Sequence, residues 1–183
     1  MSGDAPAAVA VIIGRAGSRG LPGKNARVVA GRPMIAWSVA HALACPEIGS
    51  VLVSTDGADI AAAAREAGAA VVMRPADIAG DHAPVVAAVR HAMHAIEAGE
   101  VPEIPAGPRP GDTPVVILYA NVPVRPAGLA GQAVRMLRES GADSVQSYAD
   151  VGKHHPAWMV RIDAAGRVAP LDPAAPDRRQ DLE

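Results

Sequence analysis

Five short apolar runs recur along the chain, at Ala8–Ile13, Val51–Ser54, Ala70–Met73, Val115–Tyr119 and Ser144–Ser147. They are rich in β-branched residues and mostly do not alternate with polar ones. Half-exposed strands alternate, whereas strands covered on both faces read as continuous apolar runs. Helical patterns fill the gaps between the runs, and strand–helix alternation leads to parallel pairing through right-handed crossovers. The predicted fold is therefore α/β, three-layered, around a mostly parallel sheet.

The intervening segments carry their own boundary signals. Pro33–Ala44 reads as a helix. Asp59–Ala67 reads as a second, with Asp56 placed to cap it and Gly68 to end it. A third starts at Asp81, with Pro84 in its first turn and a stripe of Val85, Val89, Met93 and Ile96. Pro126 opens a fourth, which Leu129, Ala133 and Leu137 line and Gly141 stops. Residues 99–114 hold five prolines and read as a long exposed loop. Beyond residue 150, "AWMVRID-AAG-RVAPL" predicts an antiparallel hairpin.

At 183 residues the chain suits one domain with a substantial core. Lys and Arg number 17 against 19 Asp and Glu, so bulk charge implies neither a nucleic-acid nor a membrane partner. The sole cysteine, Cys45, excludes an internal disulfide framework and fits a reducing compartment, with the thiol a small buried hydrophobe. The N-terminus lacks the basic and apolar regions of a secretory signal, and no apolar run has membrane-spanning length. A cytoplasmic location is expected. His91 and His94 are spaced to reach one metal from a helix, but no third ligand accompanies them, so they read as surface residues.

The stretch "GRAGSRGLPGKN", residues 14–25, follows the first apolar run and carries a glycine at every third position. It fails the Walker pattern, since Asn25 follows Gly23-Lys24 and Ser18 stands five places before Gly23. It fails the dinucleotide fingerprint too, because no two of its glycines are two apart. Glycines still let backbone N–H groups approach an anion, and a strand-to-helix loop faces the ligand-binding edge of such a sheet. Arg15, Arg19 and Lys24 supply charge to match a triphosphate. From the residues alone, a flexible turn with solvated cations fits as well.

The loop "IIGRAGSRGLPGKN" resembles the signature of the CMP-sugar synthetases, the acylneuraminate cytidylyltransferases and their relatives. Further similar segments follow in the family's order: "GRPMIAWSV", "VLVSTDGADIAAAAREAGAAVVMRPADIAGD", "SGADSVQSYADV", "HHPAWMVRID" and "RRQDL". The resemblance implies a Rossmann-like nucleotidyltransferase fold, and a reaction in which a sugar-acid hydroxyl attacks the α-phosphorus of CTP. Pyrophosphate then leaves with the aid of Mg²⁺. By position, Arg15 and Lys24 would act at the catalytic step by holding the triphosphate, with Arg19 replacing the usual lysine. Gly14, Gly17, Ser18, Asn25, Arg74 and Asp81 would line the nucleotide side. Asp81 equally suits a helix cap. His154 and His155 resemble the family's paired histidines, read here as structural.

The match departs from the family at the end of the fourth apolar run. There the family carries a Leu-Gln-Pro-Thr-Ser-Pro-Leu-Arg pattern whose glutamine contacts the sugar acid. This chain has "LYANVPVR", with Tyr119 for that glutamine, Asn121 for threonine, and Arg125 kept. Tyrosine lacks an amide's paired donor and acceptor, so the acceptor pocket is expected to differ. Tyr119, Asn121, Arg125 and Arg179 are the substrate-side candidates, while the metal ligands are unassigned. The resemblance implies a homodimer. It also implies a C-terminal dimerisation and Mg²⁺-binding portion that a single domain over residues 1–183 would lack. Two functions follow as expectations. One is CMP transfer to a sialic acid, Kdo or related nonulosonic acid; the other is a catalytically impaired relative that binds nucleotide as an assembly module.

Overall fold

The computed structural model describes residues 7–17, 20–80, 82–149, 156 and 159–174. The chain divides into two compact units, Met1–Val145 and Gln146–Glu183.

The first unit is built on β1 (Ala8–Ile13), flanked in parallel by β4 (Ile48–Thr55) and β6 (Val115–Tyr119). β5 (Ala70–Met73) pairs in parallel with β4, so the sheet order is β5-β4-β1-β6. Side chains on a strand alternate between faces. Ala10, Ile12, Val51, Val53, Val71 and Leu118 therefore meet one helical layer, α1 (Met34–Leu43) and α2 (Ala58–Glu66). Val9, Val11, Leu52, Ala70 and Val72 meet the other, α3 (Val85–Glu97). Each fully buried Val, Leu or Ile contributes about 1.5–3 kcal/mol, so both faces of the sheet drive its burial. The expected three-layer α/β fold is what forms.

Several boundaries differ from expectation. The second strand is longer, running from Ile48 to Thr55. α3 starts at Val85 rather than at residue 81, because Pro84 disfavours helical geometry in the residue before it and is itself extended (φ −62°, ψ 139°). On α4 (Leu129–Ser140) the buried residues are Ala130, Gly131 and Val134, not the expected stripe of Leu129, Ala133 and Leu137, which are half-buried. Small residues decide that face. The Glu47 carboxylate lies so close to Gly131 that an added Cβ would stand 2.3 Å from its Oε2, and it pairs with Arg135 one helical turn on.

Residues 99–114 are irregular, as expected, but not wholly exposed. Val101 and Ile104 are buried in the α3-side core beside Ala95 and Ile96. Ser144–Ser147 forms no strand; it is irregular and largely exposed, and no described strand offers it a ladder. Apolar content alone does not make a strand without a neighbour to pair with. The sequence reading also missed a small hairpin, β2 (Val28–Val29) with β3 (Arg32–Pro33). Its turn residues Ala30 and Gly31 both have positive φ, at 47° and 81°, which is the geometry that matches strand twist in a two-residue turn. Trp37 closes it, donating from Nε1 to Val29 O while Arg32 lies over its ring.

The second unit contains the expected antiparallel hairpin, β7 (Val160–Ile162) with β8 (Val168–Pro170). Asp163 organises its turn by accepting from the amides of Ala165 and Arg167 and from the Arg167 guanidinium. Those bonds hold the Asp163 carboxyl below the usual carboxylate range.

Candidate functional site

After β1 the chain winds first toward β4 and β5 and only later returns to β6 on the opposite side. The strand order thus reverses between β1 and β6, and in open parallel sheets ligands bind beyond the carboxyl ends of the strands at such a reversal. The glycine-rich loop starts there.

Its first residues are fixed by neighbouring strand ends. Gly14 N donates to Ser54 O at 3.2 Å. A Cβ on Gly14 would stand 2.9 Å from the Ala120 Cβ, so packing demands glycine at this position. Ala16 N donates to Asp56 Oδ1 at 2.8 Å. Among the described residues, nothing lies within 4 Å of where a Cβ on Gly17 would be. Residues 21–27 form a compact turn in which Lys24 N donates to Leu21 O, and Gly23 has φ +65°. Arg15 and Lys24 are both half-buried.

Asn25 joins the two ends of the loop. Only 4 % exposed, it donates from Nδ2 to Arg15 O at 2.9 Å, and its own carbonyl accepts from Ile35 N at the start of α1. Its Oδ1 is buried, with no donor among the described residues. A buried acceptor calls for a partner.

Arg74 follows β5 and is 8 % exposed. It donates from Nε to Ser54 Oγ and from Nη2 to Ser54 O. Burial lowers its pKa, Asp56 raises it, and Arg15 lowers it again. A guanidinium stays protonated through such shifts. The structure therefore brings Arg15, Asp56 and Arg74 to one edge, around Ser54. The expected capping role of Asp56 is not observed. Gly57 is the N-cap of α2 and no side chain caps it, because the Asp56 carboxylate is turned to the Ala16 amide instead.

On the β6 side, Tyr119 ends the strand with half its surface exposed, and Asn121 is exposed two residues later. Arg125 reaches back beneath them. It donates to Ser38 Oγ and to the carbonyls of Val122 and Tyr119, which shapes the segment after the strand. Burial lowers its pKa. His41, one turn along α1 from Ser38, has its pKa lowered by burial and then by the charge of Arg125. Cys45 is buried, as the sequence reading expected, but it lies two residues past this helix rather than on it, and its thiol donates to His41 O. Ser18, Arg19, Asp81, His154, His155 and Arg179 lie outside the described residues.

Ser54 and Ser38 were not among the candidates read from sequence. Both are fully buried hydroxyls bonded to site arginines. The available signal was a polar residue inside a stretch otherwise apolar on both faces, as in "VLVST".

Among the described residues no three His, Cys, Asp or Glu side chains gather as a metal site. Among the described residues the carboxylate bonded to the loop is that of Asp56, which accepts from Ala16 N and acts electrostatically on Arg74. The described residues do not by themselves fit a resident Mg²⁺. Among the described residues, no helix is long and apolar enough to cross a membrane.

A profile described as cytidylyltransferase matches residues 9–155. The chain is 32 % identical over 176 residues to the CMP-N,N'-diacetyllegionaminic acid synthase of Legionella pneumophila, covering 96 % of this chain and 69 % of that protein. It is 30 % identical over 186 residues to the N-acylneuraminate cytidylyltransferase of Oncorhynchus mykiss, covering 100 % of this chain but 39 % of that one. A solved structure of CMP:2-keto-3-deoxy-manno-octonic acid synthetase complexed with CTP shares the fold. Its TM-score is 0.58 at 23 % identity, over 74 % of this chain and 49 % of that chain.

Proposed function

The chain belongs to the cytidylyltransferase family, and from that premise we propose that it transfers CMP from CTP to a sugar acid and releases pyrophosphate. The observation that carries this reading is the glycine loop pinned at the sheet's reversal point, with Arg74 beside Arg15. The acceptor hydroxyl oxygen bonds to the α-phosphorus and releases its proton to water while the bond to the pyrophosphate oxygen breaks. Such a reaction needs positioning and charge stabilisation more than covalent chemistry from the protein. Arg15 and Lys24 hold the triphosphate and oppose the negative charge that builds on the leaving group. Gly14 and Gly17 keep side chains out of the way. Asn25 offers its orphaned Oδ1 to the ribose, and Arg74 lies on the nucleotide side.

Magnesium enters this proposal on the nucleotide, since Mg²⁺ binds through substrate phosphates and water with only one or two protein carboxylates. The acceptor belongs to the sialic, legionaminic or Kdo class, the sugars named in the relatives described above, and meets Tyr119, Asn121 and Arg125. A reducing cytoplasm suits a single buried cysteine. A homodimer is part of the same reading, checked by sedimentation. Calorimetric titration with CTP, UTP and ATP, followed by pyrophosphate release with a panel of nonulosonic acids and Mg²⁺, tests the whole. Selective CTP binding with turnover supports transfer. CTP binding without turnover on any acceptor leaves the nucleotide-binding module, a reading favoured by the uncharged Asn121 and by Tyr119 at the acceptor side.

A further inference from the structure

We propose that Asp56 is a positioning residue for nucleotide binding, its carboxylate locking the start of the glycine loop against the end of β4. The proposal rests on the CTP reading above and adds a residue that the reading does not use. Asp56 reaches across 40 positions of sequence to accept from Ala16 N at 2.8 Å. Around it, the end of β4 sets the loop position by position. Ser54 O takes the Gly14 amide. Gly57 lies so near Ala16 that a Cβ on it would stand 3.1 Å from the Ala16 Cβ. Arg15 lies between these two fixed residues, and its carbonyl is held from the other end of the loop by Asn25. Its guanidinium therefore starts from a backbone whose position depends on Asp56.

An acidic side chain at the edge of a polyanion site repels the ligand, while its charge also favours the buried Arg74 guanidinium. What the carboxylate supplies is a strong, directed acceptor for a backbone amide. Anchoring and charge predict opposite effects of substitution, which makes the proposal testable. If Asp56 acted as a local charge, Asp56→Ala and Asp56→Asn would both tighten CTP binding, and Asp56→Glu would match wild type. If it anchors the loop, Asp56→Ala weakens CTP binding by about tenfold, the scale of a lost bond to a charged acceptor. Asp56→Glu keeps the charge but displaces the oxygens by one methylene, and it weakens binding as Asp56→Ala does. Asp56→Asn retains an oxygen at the same place and recovers binding to within about threefold of wild type.

Calorimetric CTP titration of the full chain and the three variants reads this pattern, with melting temperatures recorded to confirm folding. Should Asp56→Ala fail to fold, the Asn and Glu variants decide the question between them. Asp56→Glu at wild-type affinity, or Asp56→Ala at wild-type affinity or tighter, overturns the anchor. A wild-type chain that does not bind CTP overturns the functional reading first, and the proposal with it.

Discussion

Single residues carry much of the site's logic, and their partners separate roles that sequence position alone merges. Arg15 and Arg125 both read as ligand-side cations, yet the Arg125 donors go to Ser38, Val122 and Tyr119, and its first effect is on the segment after β6. Lys24 stands in the turn of the glycine loop. Its replacement by alanine is expected to weaken CTP binding by about 1.5–3 kcal/mol, the range of a charge-assisted contact. Titration of a Lys24→Ala protein with an unchanged circular dichroism spectrum measures it, and unchanged affinity would remove the loop from the triphosphate site. His41 makes a prediction about pH. Burial and Arg125 lower its pKa in the folded state below 6.5, so the unfolded chain binds the proton more readily. Stability is then fully present above the unfolded value and falls as pH drops through it. Urea midpoints measured from pH 7.5 down to 5 should decline, and His41→Gln should flatten part of that decline.

Among the elements, the proline-rich segment 99–114 shows how composition can mislead. Its prolines exclude helix and strand, but Val101 and Ile104 are 1 % and 5 % exposed, packed against α3. The segment is therefore irregular and still part of the core. Ile104→Ala is expected to cost about 2–5 kcal/mol, as for a buried aliphatic truncated in a regular element. A loss below about 0.5 kcal/mol, typical of surface positions, would show that the segment does not belong to the core. The β2–β3 hairpin errs in the other direction, since its strands are too short to leave an apolar signature. Its existence depends on the Ala30-Gly31 turn and on Trp37, a residue of the following helix.

For the whole molecule, both apolar clusters are made of residues between Val9 and Ala120. The first unit thus holds a complete two-sided core, while residues 141–149 are irregular and mostly exposed. Limited proteolysis should cut within 141–149 before it cuts the sheet, and the resulting fragment of about 145 residues should still unfold cooperatively. Mass spectrometry and a thermal melt check both points; a first cut inside 8–134 would contradict the division. The sequence by itself determined the α/β class, four of the sheet's strands, the four helices to within a few residues, the C-terminal hairpin and the loop that bears the cations. It did so because burial on two faces leaves unbroken apolar runs, and because turn glycines and prolines act locally. Only the tertiary structure decided that Ser144–Ser147 is not a strand, that α4 buries Ala130 and Gly131, that Ser54 and Ser38 hold the arginines, and that Asp56 ties the loop rather than capping α2. Apart from Ser144–Ser147, which has no described strand to pair with, each depends on a partner 20 or more residues away. A hydroxyl or carboxylate looks the same in sequence whether it faces its own helix or another strand's loop, and the sheet order alone brings those partners within reach.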